Sequence, residues 1–303
     1  MPTTTTPDGI EIYYETFGSP ADLPLLMVMG YGSQLIAWPV AFAEALAAGG
    51  RFVIAFDNRD SGLSSKLDDR EVDMGALVAA AEAGEAERVL EIAAYTLSDL
   101  ADDCVAILDD LGIERAHVLG VSMGGMIAQQ LAIERPERLL TLTSLSSTTG
   151  EPEFGASTPE AIEALLKPAP SDRDANIQVS ADKMMTWASP RYGSRERSEA
   201  LAAASYDRCF YPAGTPRQLA AILATGPRDA GLRELEVPTL VIHGLDDTLI
   251  GHDGGERTAE LVPGARLVLV EDMGHDRPEE LWPLLTEAIL EHTGAALPEP
   301  AGE

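Results

Sequence analysis

The sequence predicts an α/β fold, with a mostly parallel central sheet, helices on both of its faces and a helical insertion. In the first half of the chain, short apolar runs alternate with helical patterns, as they do in parallel sheets covered on both sides. Strand patterns stop at about residue 146 and resume near residue 239. A chain of 303 residues with 45% apolar composition can bury a large core around such a sheet.

The order of the elements follows from their hydrophobic periods. Residues 10–17 alternate like an exposed strand, residues 25–30 form a continuous apolar run, and residues 36–48 have a helical pattern. The later strands are predicted at residues 52–56, 117–121, 139–145, 239–243 and 267–270, and the later helices at 97–111, 123–134, 256–262 and 279–292.

Two insertions divide this pattern. Residues 146–228 are rich in Pro, Ser, Ala and charged residues with amphipathic stretches, which predicts a helical cap inserted into a core of residues 1–145 and 229–303. A smaller insertion at 66–94, rich in Ala and Glu, is expected to be helical and to flank the site. The tail at 295–303 has two prolines and no period, and we expect it to be frayed.

Composition excludes several function classes. With 21 Lys and Arg against 50 Asp and Glu, the net charge of −29 repels nucleic-acid backbones and anionic membrane surfaces. No apolar stretch is long enough for stable membrane insertion, and the first residues do not resemble a signal peptide, so we expect a cytoplasmic protein. Cys104 and Cys209 have no metal-ligand spacing and are expected to be free thiols.

The run Gly-Val-Ser-Met-Gly at residues 120–124 follows an apolar strand and precedes a helical pattern. This is the context of a G-x-S-x-G nucleophile turn, which holds a serine at the start of a helix. Small residues are required two positions before and after that serine, because the turn is sharp. The sequence therefore predicts Ser122 as a catalytic nucleophile.

A serine hydroxyl needs a base to take its proton, and five histidines compete for that role. His275 lies on a short loop after a predicted strand, at the sheet edge where such folds bind ligands. His252 is the second choice. The other three histidines occur in or at the end of predicted regular elements: His117, His243 and His292.

The base needs a carboxylate at its other ring nitrogen, and the loop after residue 243 offers two neighbouring ones. The chain order Ser, Asp, His and the spacing from Gly244 favour Asp247, and Asp246 remains an alternative. The acidic and histidine residues at 243–253 match no familiar metal-ligand spacing, so no metal site is predicted.

The tetrahedral intermediate needs two donors, and we expect these to be the backbone N–H groups of Met123 and Tyr31. Tyr31 lies in a Gly-Tyr-Gly run after the apolar strand at 25–29. The charged run at 57–64 is interpreted as a brace for loops around the site. Six cap residues could line an apolar pocket, although packing within the cap is the simpler role: Met184, Met185, Trp187, Tyr206, Phe210 and Tyr211.

Six motifs carry a family resemblance: Val28-Met29-Gly30-Tyr31-Gly32, Ala37-Trp38-Pro39, the run at 56–64, Gly120-Val121-Ser122-Met123-Gly124-Gly125-Met126, His243-Gly244-Leu245-Asp246-Asp247 and Met273-Gly274-His275. Through these motifs the chain resembles α/β-hydrolases similar to the mycobacterial serine esterases and lipases and, more distantly, aclacinomycin methylesterase. The resemblance implies hydrolysis of a small or medium carboxylic ester through an acyl-enzyme, without a metal or organic cofactor. Many members of that family have His-Gly where this chain has Met29-Gly30.

Other functions remain open at this point. The same site serves thioesterases, perhydrolases and C–C hydrolases of this fold, and a non-catalytic binding protein could retain the pocket. The expected partner is a small-molecule ester, and a homodimer is a second open option. Fold does not determine the substrate, and the cap carries no readable motif.

Overall fold

The computed structural model describes residues 2–295, so most of the tail predicted to be frayed lies outside the described residues. Eight strands form one sheet in the order β1-β2-β4-β3-β5-β6-β7-β8. The strands are β1 (Thr3–Thr5), β2 (Glu11–Phe17), β3 (Leu23–Val28), β4 (Arg51–Phe56), β5 (Ala116–Val121), β6 (Leu139–Leu145), β7 (Thr239–Gly244) and β8 (Arg266–Val270).

Strands β3 to β8 are parallel, whereas β1 and β2 are antiparallel to their neighbours. The central strands β4 and β5 are buried along their whole length, which explains why their sequences are apolar apart from Arg51 and His117. Strand β1 was not predicted, because three threonines give no measurable alternation. The mostly parallel sheet predicted from the sequence is confirmed.

Helices cover both faces of the sheet. The helices are α1 (Val40–Ala48), α2 (Met74–Glu82), α3 (Ala86–Ile92), α4 (Leu97–Asp110), α5 (Met123–Glu134), α6 (Pro159–Leu166), α7 (Arg173–Thr186), α8 (Arg195–Arg208), α9 (Thr215–Thr225), α10 (Asp229–Arg233), α11 (His252–Leu261) and α12 (Trp282–Ala295). Helices α1 and α12 pack on one face, and α4, α5, α10 and α11 pack on the other.

Three helix starts differ from the prediction, and one of these is the last helix, which begins at Trp282 after a 3-10 turn rather than at residue 279. The helix expected from residue 36 begins at Val40, because Pro39 stands at its N-cap and a short 3-10 turn precedes it. Helix α11 begins four residues earlier than expected, at His252. It includes Gly255, where a Cβ would lie 2.4 Å from His243 Nδ1, so this glycine permits close packing rather than ending the helix.

The chain between β6 and β7 forms helices α6 to α10, and the chain between β4 and α4 forms α2 and α3. A small apolar cluster joins these two regions, with Leu77 and Val89 packing against Ala220 of α9. Helix α9 also contacts α4, so it touches the sheet domain directly. The division into a core and a cap at 146–228 stays a prediction.

No helix among residues 2–295 is both long enough and apolar enough to cross a membrane. The thiols of Cys104, which is buried, and Cys209, which is half-buried, are free, as the sequence predicted.

A sharp turn joins β5 to α5, and its backbone contacts leave no room for a side chain at Gly120 or Gly124. Ser122 has φ 56° and ψ −124°, a left-handed conformation that non-glycine residues rarely adopt. A Cβ at Gly120 would lie 2.0 Å from the carbonyl oxygen of Gly124. A Cβ at Gly124 would lie 2.1 Å from the carbonyl oxygen of Val28 on β3. Both glycines are therefore required by packing.

We predict that Gly124→Ala lowers the free energy of unfolding by about 3 kcal/mol or more, because the new methyl group overlaps rigid backbone. Urea unfolding followed by circular dichroism measures this. Gly75→Ala in α2 is the matched control: its Cβ would meet its nearest atom at 3.4 Å, and the change should alter stability by at most about 1 kcal/mol. Equal stability of the two variants would contradict the packing argument.

His117 is a fully buried polar residue on the same strand. Its Nδ1 lies 2.9 Å from Thr141 Oγ1, and its Nε2 has no partner. Burial, together with the positive charges of Arg51, His292 and Arg115, lowers the pKa of His117 to about 4. The folded protein thus holds this ring neutral, whereas the unfolded chain protonates it near pH 6.5.

The stability supplied by His117 is therefore present above pH 6.5 and is lost as the pH falls toward 4. Between pH 7 and pH 4.5, we expect the wild type to lose about 2 kcal/mol more unfolding free energy than His117→Gln, whose side chain does not titrate. Urea titrations of both proteins at the two pH values measure the difference. Parallel pH profiles would show that His117 titrates normally in the fold.

Candidate active site

The turn at Ser122 opens into a cavity of about 460 Å³, which lies within the usual range for small-molecule sites. Ser122 and His275 both line it. Most other walls are apolar: Met29, Ile36, Pro39, Val121, Leu165, Met184, Trp187, Leu201, Leu249, Pro278 and Trp282. The cavity therefore suits an apolar ligand placed against a polar pair.

His275 is fixed from two sides. Its Nδ1 lies 2.7 Å from Asp247 Oδ2, and its backbone N–H donates to the carbonyl oxygen of Trp187 at 2.7 Å. A Cβ at Gly274 would lie 2.3 Å from that same oxygen, so glycine is needed before the histidine. Because a carboxylate only accepts hydrogen bonds, Nδ1 carries the proton and Nε2 is left as the basic nitrogen.

Asp247 is buried and held in one orientation. Its Oδ1 accepts hydrogen bonds from the backbone N–H groups of Leu249 and Ile250, each at 2.9 Å. Burial raises the pKa of Asp247, but the nearby imidazoles of His275 and His243 outweigh that effect and hold it well below its usual value. The carboxylate is therefore ionised at neutral pH.

His243 supports this arrangement from within β7. Its Nε2 donates to the carbonyl oxygen of Ile250 at 2.9 Å and lies 3.4 Å from Asp247 Oδ2. Sequence reasoning set His243 aside as a strand residue and did not find this contact. The position of His243 at the end of a strand, four residues before Asp247, is the sequence feature that could have indicated this contact.

The two alternatives left open by the sequence are placed elsewhere. Asp246 is half-buried, and the hydrogen bond to His275 is made by Asp247 instead. His252 starts α11, its side chain is 42% exposed, and its nearest acid is Glu256 at 3.5 Å. Within residues 2–295, no three His, Cys, Asp or Glu side chains are grouped so as to hold a metal ion.

Ser122 is anchored through its backbone. Its N–H donates to Leu145 O at 2.9 Å, and Ser147 Oγ donates to its carbonyl oxygen at 2.8 Å. Across the described part of the chain, no hydrogen bond connects Ser122 Oγ with His275. Hydrogen bonds between a nucleophile and its base are often long until substrate binds. The cavity that both residues line is where such a bond would form.

The two residues expected to supply the oxyanion donors are Met123, next to Ser122 in the chain, and Tyr31, in the loop after β3. Met123 is the first residue of α5, so its N–H has no acceptor within the helix. Tyr31 lines the cavity, and the preceding Gly30 is so close that a Cβ there would lie 3.1 Å from Ser122 Cβ. The loop after β3 thus passes directly beside the nucleophile turn.

The charged run at residues 57–64 braces that loop, as the sequence suggested. Asn58 Nδ2 donates to Met29 O at 2.9 Å, and Asp57 Oδ1 accepts from the N–H of Leu35 at 2.7 Å. Ser61 Oγ donates to the carbonyl oxygen of Ser33 at 2.6 Å. Asn58 therefore holds the loop at Met29.

Helices α8 and α9 reach the same brace through buried ion pairs. Arg208 lies 2.8 Å from Asp57, and Arg217 binds both oxygens of Asp60 at 2.8 Å. Gln218 Oε1 accepts from the N–H of Gly32 at 2.8 Å. These partners could not be predicted from the sequence, because they lie roughly 150 to 190 residues apart in the chain.

Of the six aromatic and methionine residues suggested as pocket lining, Met184 and Trp187 line the cavity. Tyr206 stacks on Phe210 at 4.7 Å between ring centres, which is a packing role. Most of the other lining residues were not predicted from the sequence, including Arg197, Asp276, Arg277 and Trp282, which stand in no recognisable motif.

Comparison with known proteins identifies the family of this fold. A family model described as the α/β hydrolase fold matches residues 24–280. Rhodomycin D methylesterase of Streptomyces sp. strain C5 is 32% identical, covering 98% of this chain and 99% of that protein.

Two solved structures are also similar. A meta-cleavage product hydrolase from Pseudomonas fluorescens IP01 superposes with a TM-score of 0.77 at 21% identity, covering 98% of each chain. A thermophilic esterase from Thermogutta terrifontis has a TM-score of 0.71 at 25% identity, covering 97% of this chain and 98% of that chain. The chain thus belongs to the α/β-hydrolase family.

Proposed function

We propose that this protein is a carboxylic-ester hydrolase that works through Ser122, His275 and Asp247. The observation that carries the proposal is that a serine in a strained turn and a histidine bound to a buried carboxylate line one cavity. This combination activates a hydroxyl group at neutral pH and is typical of acyl transfer.

In the proposed mechanism, Ser122 Oγ attacks the ester carbonyl carbon while His275 Nε2 takes its proton. Asp247 holds the ring and stabilises the imidazolium that forms. The backbone N–H groups of Met123 and Tyr31 donate to the oxyanion of the tetrahedral intermediate. His275 then protonates the leaving alcohol, and a water molecule activated by the same ring hydrolyses the acyl-enzyme. This sequence requires no metal and no organic cofactor.

The relatives support an ester as the substrate. One is named as a methylesterase and spans nearly the whole chain, and a similar structure is an esterase. The mostly apolar cavity favours a small or medium apolar ester, and simple methyl esters are the first class to test. The apolar walls also exclude water, which strengthens the hydrogen bonds to the oxyanion.

We expect the purified protein to hydrolyse 4-nitrophenyl butyrate and methyl butyrate, and Ser122→Ala to lower kcat by about 10⁴-fold to 10⁶-fold. Nitrophenolate absorbance and methanol release measure the two reactions. Full activity in Ser122→Ala would contradict the proposal. Turnover of acyl thioesters or peracids in preference to both esters would replace it with one of those acyl-transfer reactions.

Neighbouring aspartates provide the matched control for the acid. Asp247→Asn should lower kcat by about 10⁴-fold, because an amide cannot hold the ring in the same tautomer. Asp246→Asn has the same chemical change one residue away and should stay within about threefold of the wild type. If both variants kept full activity while Ser122→Ala lost it, the base would not depend on this loop.

A further inference from the structure

Arg277 is a cation in the wall of the cavity, two residues after His275. Its Nη2 donates to the carbonyl oxygen of Ala37 at 3.2 Å, and its guanidinium lies 4.9 Å from the ring centre of Trp38. Its Nε is buried and has no hydrogen-bond partner. Among the described residues, no carboxylate forms an ion pair with it.

The charge on Arg277 is costly where it stands. Burial lowers the pKa of Arg277 to about 10, so the guanidinium still remains protonated at neutral pH. Placing a cation in a poorly solvated site without a bonded anion destabilises the fold. Asp276 raises the pKa of Arg277 only through space. Its Oδ1 accepts a hydrogen bond from the N–H of Ser189 at 2.8 Å instead. The other acid in the lining, Glu279, is exposed.

Arg197 lines the same cavity but, as is usual for an arginine, it is paired with a carboxylate. Both of its terminal nitrogens contact the Glu280 carboxylate, at 3.2 and 3.3 Å, and its side chain is 45% exposed. Arg197 is therefore paired with a carboxylate and solvated, whereas Arg277 is half-buried and has no bonded carboxylate. The contrast indicates that a ligand, rather than the protein, supplies the missing anion at Arg277.

We propose that Arg277 binds a carboxylate carried by the ester substrate, so that the site selects half-esters of dicarboxylic acids over neutral esters. The inference rests on the ester hydrolysis proposed above. A guanidinium binds a carboxylate through two parallel hydrogen bonds, which also orients the ester group. Because the net charge of −29 opposes binding of anions in general, selection of an acid requires a local cation such as this one.

The proposal is tested by comparing the hydrolysis of monomethyl adipate and methyl hexanoate. These esters have acyl chains of the same length and differ in the terminal carboxylate. We expect the wild type to prefer the acid ester, and Arg277→Met to lower the acid-to-neutral ratio of kcat/KM about tenfold to hundredfold. The loss should appear mainly in KM. Arg277→Lys keeps the charge without the fork and should retain part of the preference.

Arg197→Met is the matched control. It removes a second arginine from the same cavity, and the acid-to-neutral ratio should stay within about threefold of the wild type. A ratio that does not change in Arg277→Met would overturn the proposal. So would an equal loss for both esters, because Arg277 would then only brace Trp38 and the loop at Ala37.

Binding separates this proposal from the failure of ester hydrolysis. In a Ser122→Ala background, monomethyl adipate should quench the fluorescence of Trp187 and Trp282, which line the cavity. Adding Arg277→Met should raise its Kd about tenfold or more. If neither ester is turned over but this shift is found, the carboxylate site stands and the ester chemistry fails. An unchanged Kd overturns the carboxylate site whatever the turnover.

Discussion

The close approach of three backbone segments at Ser122 is the constraint on which the rest of the site depends. Gly120 and Gly124 let β5, α5 and β3 meet without side chains between them, and this contact forces Ser122 into φ 56°. The strain is stabilised by packing on every side rather than by a single bond. The result is a hydroxyl group that faces the cavity at the N-terminal end of a helix, where negative charge is favoured.

The remaining groups are arranged around that fixed point by buried polar contacts. Asp247 is held by two backbone N–H groups and in turn fixes His275. On the opposite side, Asn58 holds the loop that carries Tyr31, and arginines from α8 and α9 pair with the acids beside Asn58. Helices inserted between β6 and β7 thus stabilise a loop that follows β3. Changes in those helices are therefore expected to shift the loop that carries Tyr31.

The sequence predicted what local patterns specify. Strand periods, the glycines around Ser122 and the loop positions of His275 and Asp247 follow from spacing along the chain. Contacts between distant segments were not predictable, and neither the support from His243 nor the pairing of Arg217 with Asp60 was found. The unpaired charge of Arg277 was also missed, because charge balance at a buried site depends on neighbours that only the fold brings together.

Covalent labelling tests the central claim most directly. We predict that a fluorophosphonate probe forms a single adduct, which peptide mass spectrometry places on Ser122, because among the described residues this is the one serine that has a positive φ and also lines the cavity with His275. The labelling rate should fall by about a thousandfold or more in His275→Gln. An adduct on another serine such as Ser147, or labelling of Ser122 at an unchanged rate in His275→Gln, would contradict the account.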